Sequence, residues 1–285
     1  MEVTRLKCGG FVVGSHICHN IGDGFGTIQI LKDIFDLARG KAKPGTLPVW
    51  ERELLMARSP PQVTEIRQKY EALFNEVSRS IFDDIMLATP IENMVCEYFT
   101  FSPSDVAALR CLVPLHPVKT VTSFELLTAI MWRSRTVVLA YQPSQHVPLM
   151  ITMTARRRWS ILSDGFYGNA LLCPIVETTI SDLCMNPLSD TIELVRKAKL
   201  EMTTEETCNR WPIGWQLCDE LDIGWAKRIS GGMPAAAGNK SPDIISHFVY
   251  KNEKGENMIV VSMLLPRTAM EKFRKELIAV WLKNC

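Results

Sequence analysis

Between residues 15 and 26 the chain reads SHICHNIGDGFG, which sets His16, His19, Asp23, Gly22, Gly24 and Gly26 within one short stretch. A neutral imidazole has an ordinary pKa of ~6.5, so it can take a proton from a hydroxyl at physiological pH when one ring nitrogen faces the substrate. His19 is therefore a candidate general base. The glycines permit backbone conformations closed to other residues and let a substrate approach the main chain closely. Asp23 has two available roles. It either holds the ring as an orienting carboxylate or turns away and pins the loop through a cation elsewhere, and the residues alone leave both open.

Other chemistries fit the same residues less well. Two histidines and Asp23 lack a recognisable further ligand for zinc, so no metal is expected and His16 is read as a packing residue. The glycine spacing G-x-G-x-G misses the G-x-G-x-x-G dinucleotide pattern, and no G-x-x-x-x-G-K-[ST] phosphate loop occurs. No G-x-S-x-G elbow is present, and nothing places Cys8 or Cys18 in an electropositive setting. Arg156, Arg157 and Arg158 in ARRRW are forked, permanently charged donors suited to a phosphate or an internal carboxylate. The competing reading is a solvated strand end whose alternation sends them to opposite faces. His116, His146 and His247 stand alone and are read as surface or satisfied core residues.

The elements that must position these residues are partly legible. GGFVVGSHI has the branched, apolar character of a strand and leads into the glycine loop. Beyond the loop, Ile28, Leu31, Ile34, Phe35 and Leu37 recur at helical spacing, with Gly40 as a stop. From about residue 43 to 92 the proline-rich text KPGTLPVW and SPPQVTE reads as a crossover linker, with a helix over 71–80. VCEYFTFS predicts a strand, SPSDVAALRCLV a helix capped by Ser102 or Ser104, and TSFELLTAIMWRSRTVVLAY a longer helix capped at Thr122 or Ser123. VPLMITMTA and ALLCPIVETTI are β-rich runs on either side of GFYGN, and DTIELVRKAKLEMTTEE is helical by spacing. HFVYKNEKGENMIVVSMLLP predicts a hairpin turning at Lys254 and Gly255, followed by the closing helix TAMEKFRKELIAVWLKN. Together these predict an α/β fold of mixed sheets covered by helices.

Composition narrows the function classes. The 285 residues are 47% hydrophobic, enough for a sizeable core, and the net charge of +1 gives no long-range field for nucleic acid or an anionic membrane. No apolar run approaches the ~20 residues of a spanning helix and no signal core opens the chain, so a soluble cytoplasmic protein is expected. The nine cysteines are scattered with no CxxC pair, and they read as reduced thiols acting as small apolar residues.

HNIGDG from His19 and LDIGWAKRISGG from Leu221 together resemble the two signature motifs of the plant BAHD acyl-CoA-dependent acyltransferases, H-x-x-x-D-G and D-F-G-W-G. Further stretches, including LPVWERELLMARSPPQVT, TSFELLTAIMWRSRT and GFYGNA, are most similar to the benzyl alcohol O-benzoyltransferase branch. The resemblance covers nearly the whole chain.

What it implies is a chloramphenicol-acetyltransferase-like fold, with residues 1–42 as the remainder of an N-terminal acyltransferase domain, 43–92 as the crossover linker and 93–285 as the C-terminal domain. His19 would deprotonate a small alcohol acceptor, which attacks the thioester of an acyl-CoA cosubstrate carrying a benzoyl or acetyl group. No permanently bound cofactor, metal or acyl-enzyme is implied, and the family is generally monomeric. Asp23, with Gly24, would shape the catalytic loop by pairing with Arg156. Asp222, Gly224 and Trp225 of the second motif would support the CoA-binding architecture.

The chain also departs from the family pattern. Met1 begins in mid-domain, the segment between EMTTEE and LDIGWA is short, and Ile223 and Ala226 replace the usual Phe and Gly. On these grounds the chain is expected to be N-terminally truncated relative to the family. The alternative to a working acyltransferase is a truncated, catalytically inactive family remnant or partial gene product.

Overall fold

Strands β1 (Glu2–Arg5) and β2 (Phe11–Gly14) form an antiparallel hairpin, in register from Glu2 opposite Gly14 to Arg5 opposite Phe11. Gly9, at φ +88°, supplies the left-handed residue that its turn requires. The sequence predicts β2 but not β1, whose residues carry no clear alternation. The structure is a computed structural model that describes residues 1–55, 85–113, 121–201 and 247–282. The helix expected over 71–80, His116, Asp222, Ile223, Gly224, Trp225, Ala226, Cys208, Cys218 and Cys285 lie outside the described residues.

Helix α1 (Gly24–Ala38) follows β2. It starts at Gly24 rather than Thr27, because the Asp23 side chain caps it by accepting from the Gly26 N–H. Arg39 and then Gly40, at φ +91°, end it. The chain separates into two compact units that do not follow chain order: the described residues of the first are 1–55 and 154–171, and those of the second are 85–113, 121–153, 172–201 and 247–282.

In the second unit β3 (Met94–Phe101) leads into α2 (Pro103–Cys111). Ser102 is its cap, and Asp105 returns the bond to the Ser102 N–H, completing a capping box with Pro103 in the first turn. Helix α3 (Ser123–Leu139) has the same device, with Thr122 and Glu125 as partners. Buried along most of its length, α3 is the central post of the unit, placing Leu126, Leu127, Ile130 and Met131 in one core cluster and Trp132 in a neighbouring one.

The β-rich runs 147–155 and 170–180 each break into two short strands, β4 (His146–Met150) with β5 (Met153–Thr154), and β6 (Leu171–Leu172) with β7 (Ile175–Thr179). β4 pairs antiparallel with β7, from His146 opposite Thr179 to Met150 opposite Ile175. The next position is Ile151 N–H to Pro174 O at 2.9 Å, and Pro174 has no N–H with which to continue the ladder.

Helix α4 (Ile180–Met185) is not foreseen from the sequence, which reads TTI as the end of a strand. Thr179 closes that strand and caps the helix by accepting from the Asp182 N–H at 3.0 Å. Arg133 of α3 donates to the Cys184 and Asn186 carbonyls at its far end. After α5 (Leu188–Glu201), β8 (His247–Lys251) and β9 (Asn257–Pro266) form the expected hairpin with Gly255 at φ +80° in its turn. The sheet order is β3-β9-β8, all antiparallel. Helix α6 (Arg267–Glu276), continued by a wider turn over Leu277–Leu282, packs Met270 and Phe273 into the α3 cluster. The closing helix is thus present, with a change of pitch in its last residues.

Three expectations are corrected here. His16 is exposed rather than packed, because β2 ends at Gly14 and alternation stops before it. The six described cysteines form no disulfide among the described residues, yet none is fully buried: Cys8, Cys18 and Cys111 are exposed, Cys8 in the β1–β2 turn and Cys111 at the end of α2. Apolar sequence neighbours do not make a position internal. His247 is buried, but its Nδ1 has no hydrogen-bond partner among the described residues, so it is not a satisfied core histidine.

Candidate active site

His19 lies in the loop between β2 and α1, exposed, with its carbonyl oxygen accepting from Asn169 Nδ2 at 2.7 Å. It is the second residue of a tight turn over residues 18–21, closed by Ile21 N–H donating to the Cys18 carbonyl at 2.9 Å.

Asp23 is buried, and both its carboxylate oxygens are committed. Oδ1 accepts from the Gly26 N–H at 2.9 Å, while Oδ2 accepts from Arg156 Nη1 at 2.8 Å and from the Ala170 N–H at 3.0 Å. Of the two roles left open by the sequence, the geometry is that of a carboxylate turned to a distant cation. Arg156 is likewise buried, and its forked head uses four of its five donor positions: Nε to the Phe166 carbonyl at 2.8 Å, Nη1 to Asp23 and at 3.3 Å to Thr154 Oγ1, and Nη2 to the Gly168 carbonyl. The Phe25 ring covers its Cζ at 4.7 Å. A buried charge pair is tolerated only when its remaining hydrogen-bonding capacity is filled in this way.

The arginine triplet is therefore neither a phosphate site nor a strand end. It forms a turn, in which Arg157 takes φ +62° and is exposed while Arg156 points inward. Strand alternation does not apply there.

The glycines serve a different purpose from the one expected. None of Gly22, Gly24 and Gly26 has a positive φ. A Cβ on Gly26 would lie 1.8 Å from the Tyr167 carbonyl oxygen and one on Gly22 would lie 2.5 Å from it, whereas one on Gly24 would meet nothing within 4 Å. What approaches the glycine backbone is the protein's own chain at Tyr167. Gly165, at φ +93° with Leu47 O only 2.2 Å from where its Cβ would be, and Gly168, under the Phe166 ring, let residues 165–170 fold this tightly. Sequence reasoning misses Phe166, Tyr167 and Gly168 as partners of the loop. The signal available for them is the glycine-flanked stretch GFYGN itself.

A family model described as the Transferase family matches residues 1–217. The chain belongs to the BAHD transferase family. Among curated BAHD relatives, spermidine hydroxycinnamoyltransferase 1 of Oryza sativa subsp. japonica is 53% identical over 286 residues, covering 91% of this chain and 63% of that protein. The benzyl alcohol O-benzoyltransferase of Petunia hybrida is 37% identical over 304 residues, covering 97% of this chain and 63% of that protein. The chain thus spans less than two thirds of either relative. Vinorine synthase superposes with a TM-score of 0.68 at 17% identity, over 98% of this chain and 65% of its own. That likeness shows the fold, a BAHD-type α/β architecture of helices and sheets; the ladders β1–β2, β3–β9–β8 and β4–β7 are antiparallel, not mixed as expected. Among the described residues no group of three or more His, Cys, Asp and Glu side chains is arranged to hold a metal ion. Among them, too, no helix is long and apolar enough to cross a membrane.

Proposed function

We propose that this BAHD chain transfers an acyl group from a CoA thioester to a nucleophilic acceptor, with His19 as the general base. The imidazole takes the proton of the acceptor as its oxygen or nitrogen attacks the thioester carbonyl; the C–S bond then breaks, and the proton passes to the leaving CoA thiolate. A positioned base of this kind contributes typically ~10²–10⁴-fold to the rate. The supporting observation is the commitment of Asp23. With its carboxylate bound to Gly26, Ala170 and Arg156, Asp23 serves as a structural anchor for the loop, and His19, exposed in that loop, is free to act on a substrate.

Two acceptor classes follow from the relatives. The benzyl alcohol enzyme, at 37% identity, supports an alcohol acceptor with a benzoyl donor, whereas the spermidine enzyme, at 53%, favours an amine acceptor with a hydroxycinnamoyl donor. Asp222, Gly224 and Trp225 are assigned to support of the CoA-binding architecture, and Gly24 to the catalytic loop as its first helical residue. In this reading the enzyme works as a cytoplasmic monomer with no permanently bound cofactor. The test is release of free CoA thiol from benzoyl-CoA with benzyl alcohol and from a hydroxycinnamoyl-CoA with spermidine. Acceptor-dependent release is expected with one of the pairs, and a folded chain that releases no thiol with either would identify a catalytically inactive remnant.

A further inference from the structure

We propose that Arg52 and Asn169 are positioning residues that fix His19 through its backbone, an inference that rests on the reading of His19 as the base. Three consecutive carbonyl groups, those of His19, Asn20 and Ile21, are each held by a side chain from a remote part of the sequence. Asn169 Nδ2 takes the His19 oxygen at 2.7 Å, Arg52 Nη1 takes the Asn20 oxygen at 3.0 Å, and Arg52 Nη2 takes the Ile21 oxygen. Two parallel N–H groups of one planar guanidinium therefore grip adjacent peptide units, which a lysine ammonium cannot reproduce. Charged donors make stronger bonds to carbonyls than neutral ones do.

The grip is itself held in place. The guanidinium carbon of Arg52 lies 3.8 Å from the centroid of the Trp50 ring and 5.9 Å from that of Tyr167, and the two rings stand 5.2 Å apart. Its Nε is buried without a hydrogen-bond partner, so the head is set by ring faces and loop carbonyls, with no carboxylate against it among the described residues. The Tyr167 carbonyl lies against Gly22 and Gly26 while its ring lies near Arg52, so a single residue braces both ends of the loop.

The consequence concerns His19 alone among the loop's side chains. An exposed imidazole has few packing contacts of its own, so the direction of its Cα–Cβ bond is set by the backbone at residues 19–21. Misplacing a reacting group by about 1 Å can cost up to ~10²-fold in rate without any direct contact being lost. Arg52 and Asn169 bind carbonyl oxygens of the loop, and they act through His19.

The experiment uses the 285-residue chain with Arg52→Lys and Asn169→Ala, and reads kcat, KM, the thermal midpoint, and deuterium exchange of the peptide covering residues 15–26. The expected result for each variant is a kcat about 10- to 100-fold lower with KM within about twofold, an unchanged midpoint, and faster exchange confined to that peptide. Unchanged kcat would overturn the proposal, as would a midpoint that falls with kcat and KM altered together, which marks a general structural role. If the parent chain releases no thiol, the reading of His19 as base fails on its own. The exchange data then decide the clamp separately: faster exchange in Arg52→Lys supports it, and unchanged exchange overturns it.

Discussion

Asp23 and Arg156 are separated by 133 residues in sequence, yet their side chains meet at 2.8 Å with each nearly excluded from solvent. The pair joins the start of α1 to the turn at residues 155–158, and through Phe166 and Gly168 to the glycine-flanked segment behind the His19 loop.

Removing one member leaves the other as an uncompensated buried charge, which costs roughly 3–5 kcal/mol. Arg156→Met is expected to lower unfolding stability by that amount. Arg156→Lys should recover little of it, since one ammonium cannot reach Asp23, Phe166 and Gly168 together. The double variant Asp23→Asn with Arg156→Met should cost less than the sum of the two singles, because the shared interaction is counted once. Urea unfolding of the parent chain and the four variants, Asp23→Asn alone included, checks this.

Gly26 and Gly24 separate close approach from loop flexibility. The Cβ of Gly26→Ala would fall 1.8 Å from a backbone oxygen that cannot move without displacing Tyr167. Its cost is expected at or above the upper end of the ~1–3 kcal/mol typical of overpacking. Gly24→Ala has open space and a helical backbone, so it should change stability by less than about 0.5 kcal/mol, in either direction. Thermal midpoints of the two variants give the comparison directly.

His247 gives the fold a pH dependence of its own. Burial against the Phe124 ring pushes its pKa down from 6.5 to about 4. Below pH 6.5 the unfolded chain takes up a proton that the folded chain refuses, so stability falls as the pH drops from about 6.5 to about 4, by an amount on the order of 3 kcal/mol. Glu125 acts lower on the scale. Burial alone would raise its pKa, but hydrogen bonds from Lys199 and the Thr122 backbone outweigh that and hold it below the ordinary value of 4.5, so its contribution is lost only under more acidic conditions. His247→Phe is expected to flatten the unfolding profile between pH 6.5 and 4, and a profile that stays as steep would remove His247 as its cause.

What could be read from the sequence was whatever is encoded within a few residues. Ser102 with Asp105 and Thr122 with Glu125 announce their helices because each capping box closes over three positions. Gly255 marks the final hairpin in the same local way. The base candidate His19 was visible because its neighbours are unusual. The two roles of Asp23 could not be separated from residues alone, since the deciding partner is Arg156 and no local pattern links them. The arginine triplet misled because the alternation rule presumes a strand, and Arg157 with its positive φ sits in a turn. The glycines misled in a similar way, since close approach by Tyr167 depends on a segment far along the chain. Arg52 and Asn169 carry no signal of their own; each is an ordinary polar residue until folding brings it to a loop carbonyl.

The most direct test of general base catalysis by His19 is CoA thiol release by the intact chain and by its His19→Gln variant, using the donor and acceptor pair that gives the faster rate. The expected result is acceptor-dependent release that falls by about 10²–10⁴-fold in the variant, with an unchanged thermal midpoint. A His19→Gln protein that keeps most of its turnover would contradict the assignment of His19 as the base.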